Sequence, residues 1–260
     1  MKKIGIDVGG SHVTVSVIEN NVVDKQPQRL TRMEINSNEK PTAIISAIGN
    51  SINEILNEGE TIDAVGIAFP GPFNYDKGVS EIKGVGGKFE TTFGIHMQQA
   101  LKNFTGLTTV PFVFANDADC FAEGAYFRHK LNSKRTVFLT LGTGFGSAFM
   151  VDGDLVKSHL DIPKTGVFYN QPFLETIADE CFSIRWLLAE YKRLSGESIK
   201  SVKAIANLNT AVSKAVFANF GSNMGKFLFP WFEKFGCEEL VIGGNISKAR
   251  PYLCQLWKKH

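Results

Sequence analysis

The chain has 260 residues, 43% of them hydrophobic and 21% charged, with a formal net charge of +2. This is enough for one large soluble domain or two small ones with their own cores, and the charge excludes a polybasic nucleic-acid binder, the one short basic run being Lys258-Lys259-His260. No apolar run approaches the roughly 18 residues of a membrane span, and Met1-Lys2-Lys3 leads straight into a strand, which points to the cytoplasm.

In chain order, Ile4 to Val8 is an apolar run feeding the turn Gly9-Gly10-Ser11. Pro41 to Glu58 carries Ile44, Ile45, Ile48, Ile52, Ile55 and Leu56 on one helical face. Ala64 to Phe69 is a buried strand stopped by Pro70-Gly71-Pro72, and glycine-rich Lys77 to Gly94 predicts a loop. A helix over Met97 to Phe104, a strand over Val110 to Ala115 and a helix over Asp117 to Arg128 follow. Phe138 to Leu141 feeds Gly142-Thr143-Gly144, after which Pro172 to Leu194 predicts one long helix with Ile177, Cys181, Ile184, Leu187, Leu188 and Tyr191 inward. Ser198 predicts a cap for the next helix, and Thr210 to Phe235 is helical despite Gly221, Gly225 and Pro230. Leu240 to Ile242 is the last strand, closing on Gly243-Gly244-Asn245. Cys120, Cys181, Cys237 and Cys254 are far apart, without the paired spacing of zinc or redox sites, and read as buried thiols.

The two glycine turns belong to repeated units. Laid without a gap, Ile4 to Val23 falls on Val137 to Val156, so that Val8-Gly9-Gly10 meets Leu141-Gly142-Thr143 and Glu19-Asn20-Asn21 meets Asp152-Gly153-Asp154. Each unit reads as strand, glycine turn, strand, tight turn, strand. Glycine lets backbone N–H groups approach an anion closely. Duplicated βββαβαβα units of this kind predict an α/β protein of two similar lobes, 1–115 and 116–260, facing one another across a cleft where one polyphosphate is held from both sides.

Asp7-Val8-Gly9-Gly10-Ser11, Gly66 to Pro72, Asn116-Asp117-Ala118-Asp119, Leu141 to Ser147 and Gly243 to Ser247 occur in the order seen in the ROK family of sugar kinases and sugar-responsive repressors, which the chain resembles over nearly its whole length. The resemblance implies the two-lobed actin-like, ribonuclease H-like ATPase fold, with ATP-dependent phosphorylation of a hexose or amino sugar. It also implies Mg²⁺ and a homodimer. Phosphoryl transfer to a sugar hydroxyl needs a carboxylate to accept the proton and a cradle for the phosphate. Asp117 is the candidate base, with Asp119 the competing carboxylate, and Asn116 the sugar-hydroxyl ligand. Both Asn116 and Asp117 are equally suited to capping the helix that follows. Asp7 matches a water-mediated Mg²⁺ position, Gly9, Gly10 and Ser11 one end of the phosphate chain, Gly142, Thr143 and Gly144 the other, and Gly243 and Gly244 the adenosine loop.

The departures concern the sugar. Most members carry a Glu-x-Gly-His segment and a zinc-binding cysteine cluster after the second hairpin; neither is present, so no zinc is expected. Glu175 matches a sugar-contacting glutamate, although an acid at a helix start serves equally there. His159 and Asp161 are candidates to replace the missing grip. Lys83 to Lys88 lacks the family's asparagine, and beyond the adenosine loop only Ser247 to His260 remains where members continue into a further helix. The alternatives are a regulator that binds sugar or nucleotide without catalysis and a polyphosphate-dependent glucokinase. With the first strand starting at Lys3, no helix-turn-helix precedes it, which argues against a DNA-binding repressor.

Overall fold

The computed structural model describes residues 1–20, 22–24, 26–84 and 88–249. The expectations for Asn21, for 85–87, for Cys254, for the basic run at 258–260 and for the chain past 249 lie outside these residues. The chain divides into two compact units, Met1–Cys120 and Phe121–His260.

The first unit is built on a six-stranded sheet. β1 (Lys2–Val8), β2 (His12–Glu19) and β3 (Val22–Val23) run antiparallel, and β4 (Leu30–Glu34) also pairs with β2. After helix α1 (Pro41–Ile55) comes β5 (Ala64–Phe69), parallel to β1. Part of the stretch read as loop forms a short hairpin with the chain before it, β6 (Phe73–Asn74) and β7 (Val79–Ser80). Helix α2 (Met97–Thr105) then leads to β8 (Phe112–Asn116), parallel to β5.

Strand residues alternate between two faces. One face carries Ile4, Ile6 and Val8 of β1, Val13, Val15 and Val17 of β2, Val65, Ile67 and Phe69 of β5 and Phe112 and Phe114 of β8, all buried. Helix α1 lays Ile44, Ile48, Ile52 and Ile55 on it, and α2 adds Met97 and Leu101. Gly49 lets the two helices close: a Cβ there would lie 2.2 Å from the Phe104 ring. The opposite face bears Gly5, Asp7, Gly66 and Val113, the last 61% exposed.

Away from that face, Arg29 is buried and donates from Nη1 to the Ile55 carbonyl (2.7 Å) and to Glu60 (2.8 Å), and from Nη2 to the other Glu60 oxygen. Lys2 Nζ joins Glu60 at 2.6 Å. These cations hold the Glu60 carboxyl at about 2, well below its usual range.

In the second unit, α3 (Asp117–His129), which starts in the first, leads to β9 (Arg135–Leu141), β10 (Phe145–Val151) and β11 (Asp154–Leu155). The hairpin β12 (Pro172–Phe173) and β13 (Thr176–Ile177) is followed by helices α4 (Ala178–Cys181), α5 (Ile184–Ser195), α6 (Val202–Leu208) and α7 (Ala211–Phe235), then β14 (Glu239–Gly243), parallel to β9. Across the repeat, Lys2 to Val8 corresponds to Arg135 to Leu141, and His12 to Phe145, as the gapless alignment predicts, while β10 ends and β11 begins one residue earlier than it places them. Phe145, Phe149, Phe168, Phe182, Phe220 and Phe227 fill the core between sheet and helices.

The single helix expected over 172–194 is instead a hairpin and two helices. Leu174 takes φ +53° and reverses the chain, and Ser183 is extended at the N-cap of α5. Ile177 is therefore 37% exposed, not inward. Ser201, not Ser198, caps α6, accepting from the Ala204 N–H at 3.1 Å. Of the cysteines, Cys181 is buried while Cys120 and Cys237 are half-buried. No helix among the described residues is long and apolar enough to cross a membrane.

Two stability measurements check this account. The folded-state pKa of Glu60 lies below its ordinary 4.5, so its contribution is present above pH 4.5 and lost as pH falls toward 2. Urea unfolding should show this loss, on the order of 3 kcal/mol, and Glu60→Gln should flatten it; an unchanged pH profile in the variant rejects the assignment. Gly244→Ala should lower stability by roughly 3 kcal/mol or more, because Gly244 has φ +84° and a Cβ would sit 2.3 Å from the Leu141 carbonyl oxygen. A melting temperature equal to that of the wild type contradicts it.

Candidate active site

The register of the parallel strands assembles a site at their C-terminal ends in the first unit. Arg32, Thr14, Asp7, Ala68 and Ala115 form one row across β4, β2, β1, β5 and β8. Asp117 follows Ala115 by two residues at the first turn of α3. The two alanines keep the floor between Asp7 and Asp117 clear over two strand spacings, about 9–10 Å of backbone. The turn Gly9-Gly10-Ser11 continues from β1, and Pro70-Gly71-Pro72 from β5.

Burial raises the half-buried Asp117 carboxyl above its ordinary value and Asp7 raises it further, while the Ala118 N–H, at 2.9 Å, and Lys88 oppose the rise. Loss of hydration also raises Asp7, against the pull of Arg32; Asp7 is solvent-exposed, so water screens much of this. A carboxylate raised toward neutrality is suited to accepting a proton. Asp119, two residues further along α3, is buried.

Asn116 caps α3. Its Oδ1 accepts from the N–H groups of Ala118 (3.0 Å) and Asp119 (3.2 Å), and its Nδ2 donates to the Tyr75 hydroxyl (3.1 Å), which in turn donates to the Phe69 carbonyl (3.1 Å). Burial raises the Tyr75 phenol, keeping it a neutral donor. The capping role and the site position thus coincide in one residue.

Gly9 closes its hairpin with an N–H bond to the His12 carbonyl (2.8 Å), and Ser11 Oγ bonds His12 Nδ1 (2.9 Å). Neither Gly9 nor Gly10 takes positive φ; space is what they provide. A Cβ on Gly10 would lie 3.1 Å from Cδ of Lys88, so the lysine stem lies across this turn. Lys88 and Tyr75 have no signal in the motifs, because only folding brings them to Gly10 and Asn116.

Two carboxylates without a third partner fit Mg²⁺, which takes one or two protein carboxylates and keeps water or phosphate oxygens elsewhere. Among the described residues no cluster of three or more acidic, histidine or cysteine side chains is present. Asp7, at the end of β1, is the residue that would hold the ion.

In the second unit, Gly142, Thr143 and Gly144 form the tip between β9 and β10, and Gly244 at the end of β14 packs against Leu141 beside it. Gly142 has nothing within 4 Å of a would-be Cβ, whereas Gly243 would meet the Phe121 ring at 2.4 Å. Packing therefore requires Gly243 and Gly244, but not Gly142. Glu175 lies at the exposed tip of the β12–β13 hairpin and not at a helix start. His159 pairs with Asp161 (3.3 Å), which also binds Arg135 at the N-terminal end of β9, the end opposite the glycine tip.

The ROK family pattern matches residues 3–160. The chain is 26% identical to the N-acetyl-D-glucosamine kinase of Yersinia enterocolitica over 98% of its own length and 88% of that protein. It is also 26% identical to the glucokinase of Streptomyces coelicolor over 61% of its own length, spanning 46% of that enzyme. Its fold superposes on the ROK family glucokinase from Streptomyces griseus, solved in complex with glucose and AMPPNP, with a TM-score of 0.75 at 17% identity, covering 100% of this chain and 92% of the other. That likeness establishes the mixed α/β, two-lobed actin-like fold, and the match over more than half of its length establishes that this chain belongs to the ROK family.

Proposed function

We propose that this protein is an ATP-dependent sugar kinase acting on a hexose or amino sugar. The observation that carries the reading is the placement of Asp117 directly after β8, two residues past the row that holds Asp7, with Lys88 across the Gly9-Gly10 turn. Asp117 accepts the proton of the attacking sugar hydroxyl as its oxygen bonds to the γ-phosphorus and ADP leaves. Asn116 orients that hydroxyl, and Tyr75 orients Asn116. The N–H groups of Gly10 and Ser11 and the Lys88 ammonium receive the transferred group, on the turn that Gly9 closes through its N–H bond to His12. Mg²⁺ bound at Asp7 would neutralise phosphate charge. Gly142, Thr143 and Gly144 are assigned to the nucleotide phosphates, with Gly243 and Gly244 supporting that tip. The kinase names of the Yersinia and Streptomyces relatives support this class. Glu175 and His159 stay sugar-ligand proposals of lower standing than Asn116.

A second reading has one observation in its favour. Three of the four hydrogen-bonding positions of the Asn116 amide are used within the protein, and the Glu-x-Gly-His grip is missing, which favours a regulator that binds ligand without turnover. Purified protein with ATP, Mg²⁺ and a hexose panel distinguishes the two. Sugar-dependent ADP release supports the kinase; saturable sugar binding without it supports the regulator.

Asp117→Asn should lower kcat by about 10³-fold or more while sugar affinity stays within about twofold. The acid limb of the wild-type rate should lie above the ordinary carboxylate value near 4, in keeping with the raised Asp117. Near-wild-type turnover by the variant would place the base elsewhere. Gly142→Ala should fold with unchanged stability, its Cβ having open space, yet bind ATP about tenfold more weakly; equal ATP affinity removes this tip from the nucleotide site.

A further inference from the structure

The glycine tip of the second unit is fixed from outside its own hairpin. Asp179, buried in α4, accepts from the Phe145 N–H at 2.7 Å through Oδ1 and from Arg185 Nη2 at 2.8 Å through Oδ2. Arg185, in the first turn of α5, donates from Nη1 to the Thr143 carbonyl at 2.8 Å, and its Nη2 also reaches Glu180 at 3.0 Å. The neighbouring Ile184 N–H donates to the Gly142 carbonyl at 2.9 Å. Two successive carbonyls of the tip are thus drawn toward α5.

A trans peptide is planar, with its C=O and N–H antiparallel. Holding the Gly142 and Thr143 carbonyls toward α5 therefore turns the N–H groups of Thr143 and Gly144 the other way, side by side. Successive N–H groups turned to one side make an anion cradle. We infer that Asp179 and Arg185 are positioning residues that preform this cradle for a nucleotide phosphate. The inference rests on the assignment of the tip to nucleotide under Proposed function, and goes beyond it in naming what sets the tip's geometry. The guanidinium suits the role because its rigid fork meets the carboxylate and the carbonyl together, a geometry an ammonium does not reproduce.

Isothermal titration with ATP, alone and with Mg²⁺, tests it in the full chain, together with steady-state kinetics. Arg185→Ala should raise the Kd and KM for ATP about tenfold, with the KM for sugar and the kcat at saturating ATP within about twofold. Arg185→Lys should stay at least about threefold weaker than wild type. An ATP Kd within about twofold of wild type in Arg185→Ala overturns the inference, as does a matched rise in the sugar KM, which marks a general loss of structure. If Arg185→Ala does not fold, Asp179→Asn, which keeps an acceptor for Phe145 but drops the charge, should raise the ATP Kd about threefold, and an unchanged Kd overturns the inference. Wild-type protein that fails to bind ATP rejects the nucleotide assignment itself, a result distinct from equal binding by wild type and variant.

Discussion

The placement of one carboxylate beside another governs the first unit. Asp7 and Asp117 lie at one end of the sheet because β1, β5 and β8 run parallel in a register that sets Asp7 level with Ala68 and Ala115, two residues before Asp117. Two anions losing hydration at one sheet edge are held at a cost, met here by Arg32 in the same row, by the Ala118 N–H and by Lys88. A fold that sought only stability would remove one acid. Their retention fits a site built to receive a cation and a proton, since either relieves the repulsion.

The second copy of the hairpin solves a different problem. Its alignment with the first puts Thr140 where Asp7 stands, so the tip loses its carboxylate. The chain supplies Asp179 and Arg185 from the helices instead, and these bind the tip's backbone. One copy is thus equipped with side-chain charge and the other with ordered peptide groups. The duplicated hairpin thus carries two separate chemistries, side-chain charge in one copy and fixed peptide groups in the other.

Much of this was legible in the sequence because its signals are local. The apolar alternation of Ile4, Ile6 and Val8, the glycine turns and the gapless repeat each depend on neighbours in the chain, and the limits of β9 and the start of β10 fall where the repeat puts them. The region 172–194 misled for a related reason. Ile177, Cys181, Ile184 and Leu188 do keep helical spacing, but a left-handed Leu174 and an extended Ser183 interrupt it, and neither residue type announces that conformation. Lys88, Tyr75 and Arg185 were illegible because their roles arise from contacts across many residues. Gly243 and Gly244 were legible as a motif but not in cause: the Phe121 ring and the Leu141 carbonyl explain why no side chain fits there.

Asn116 shows how capping and catalysis can depend on one another. By accepting two α3 N–H groups it fixes the first helical turn, and that turn carries Asp117. Its other end is held by Tyr75, itself anchored to the Phe69 carbonyl at the end of β5. Asp117, the proposed base, is therefore positioned through a chain of hydrogen bonds that begins on the neighbouring strand, and of the Asn116 amide one N–H is left outside the bonds described. A single donor orients a sugar weakly. On the proposed assignment, holding a sugar falls to groups outside this network, apart from the hydrogen bonds that position Asp117.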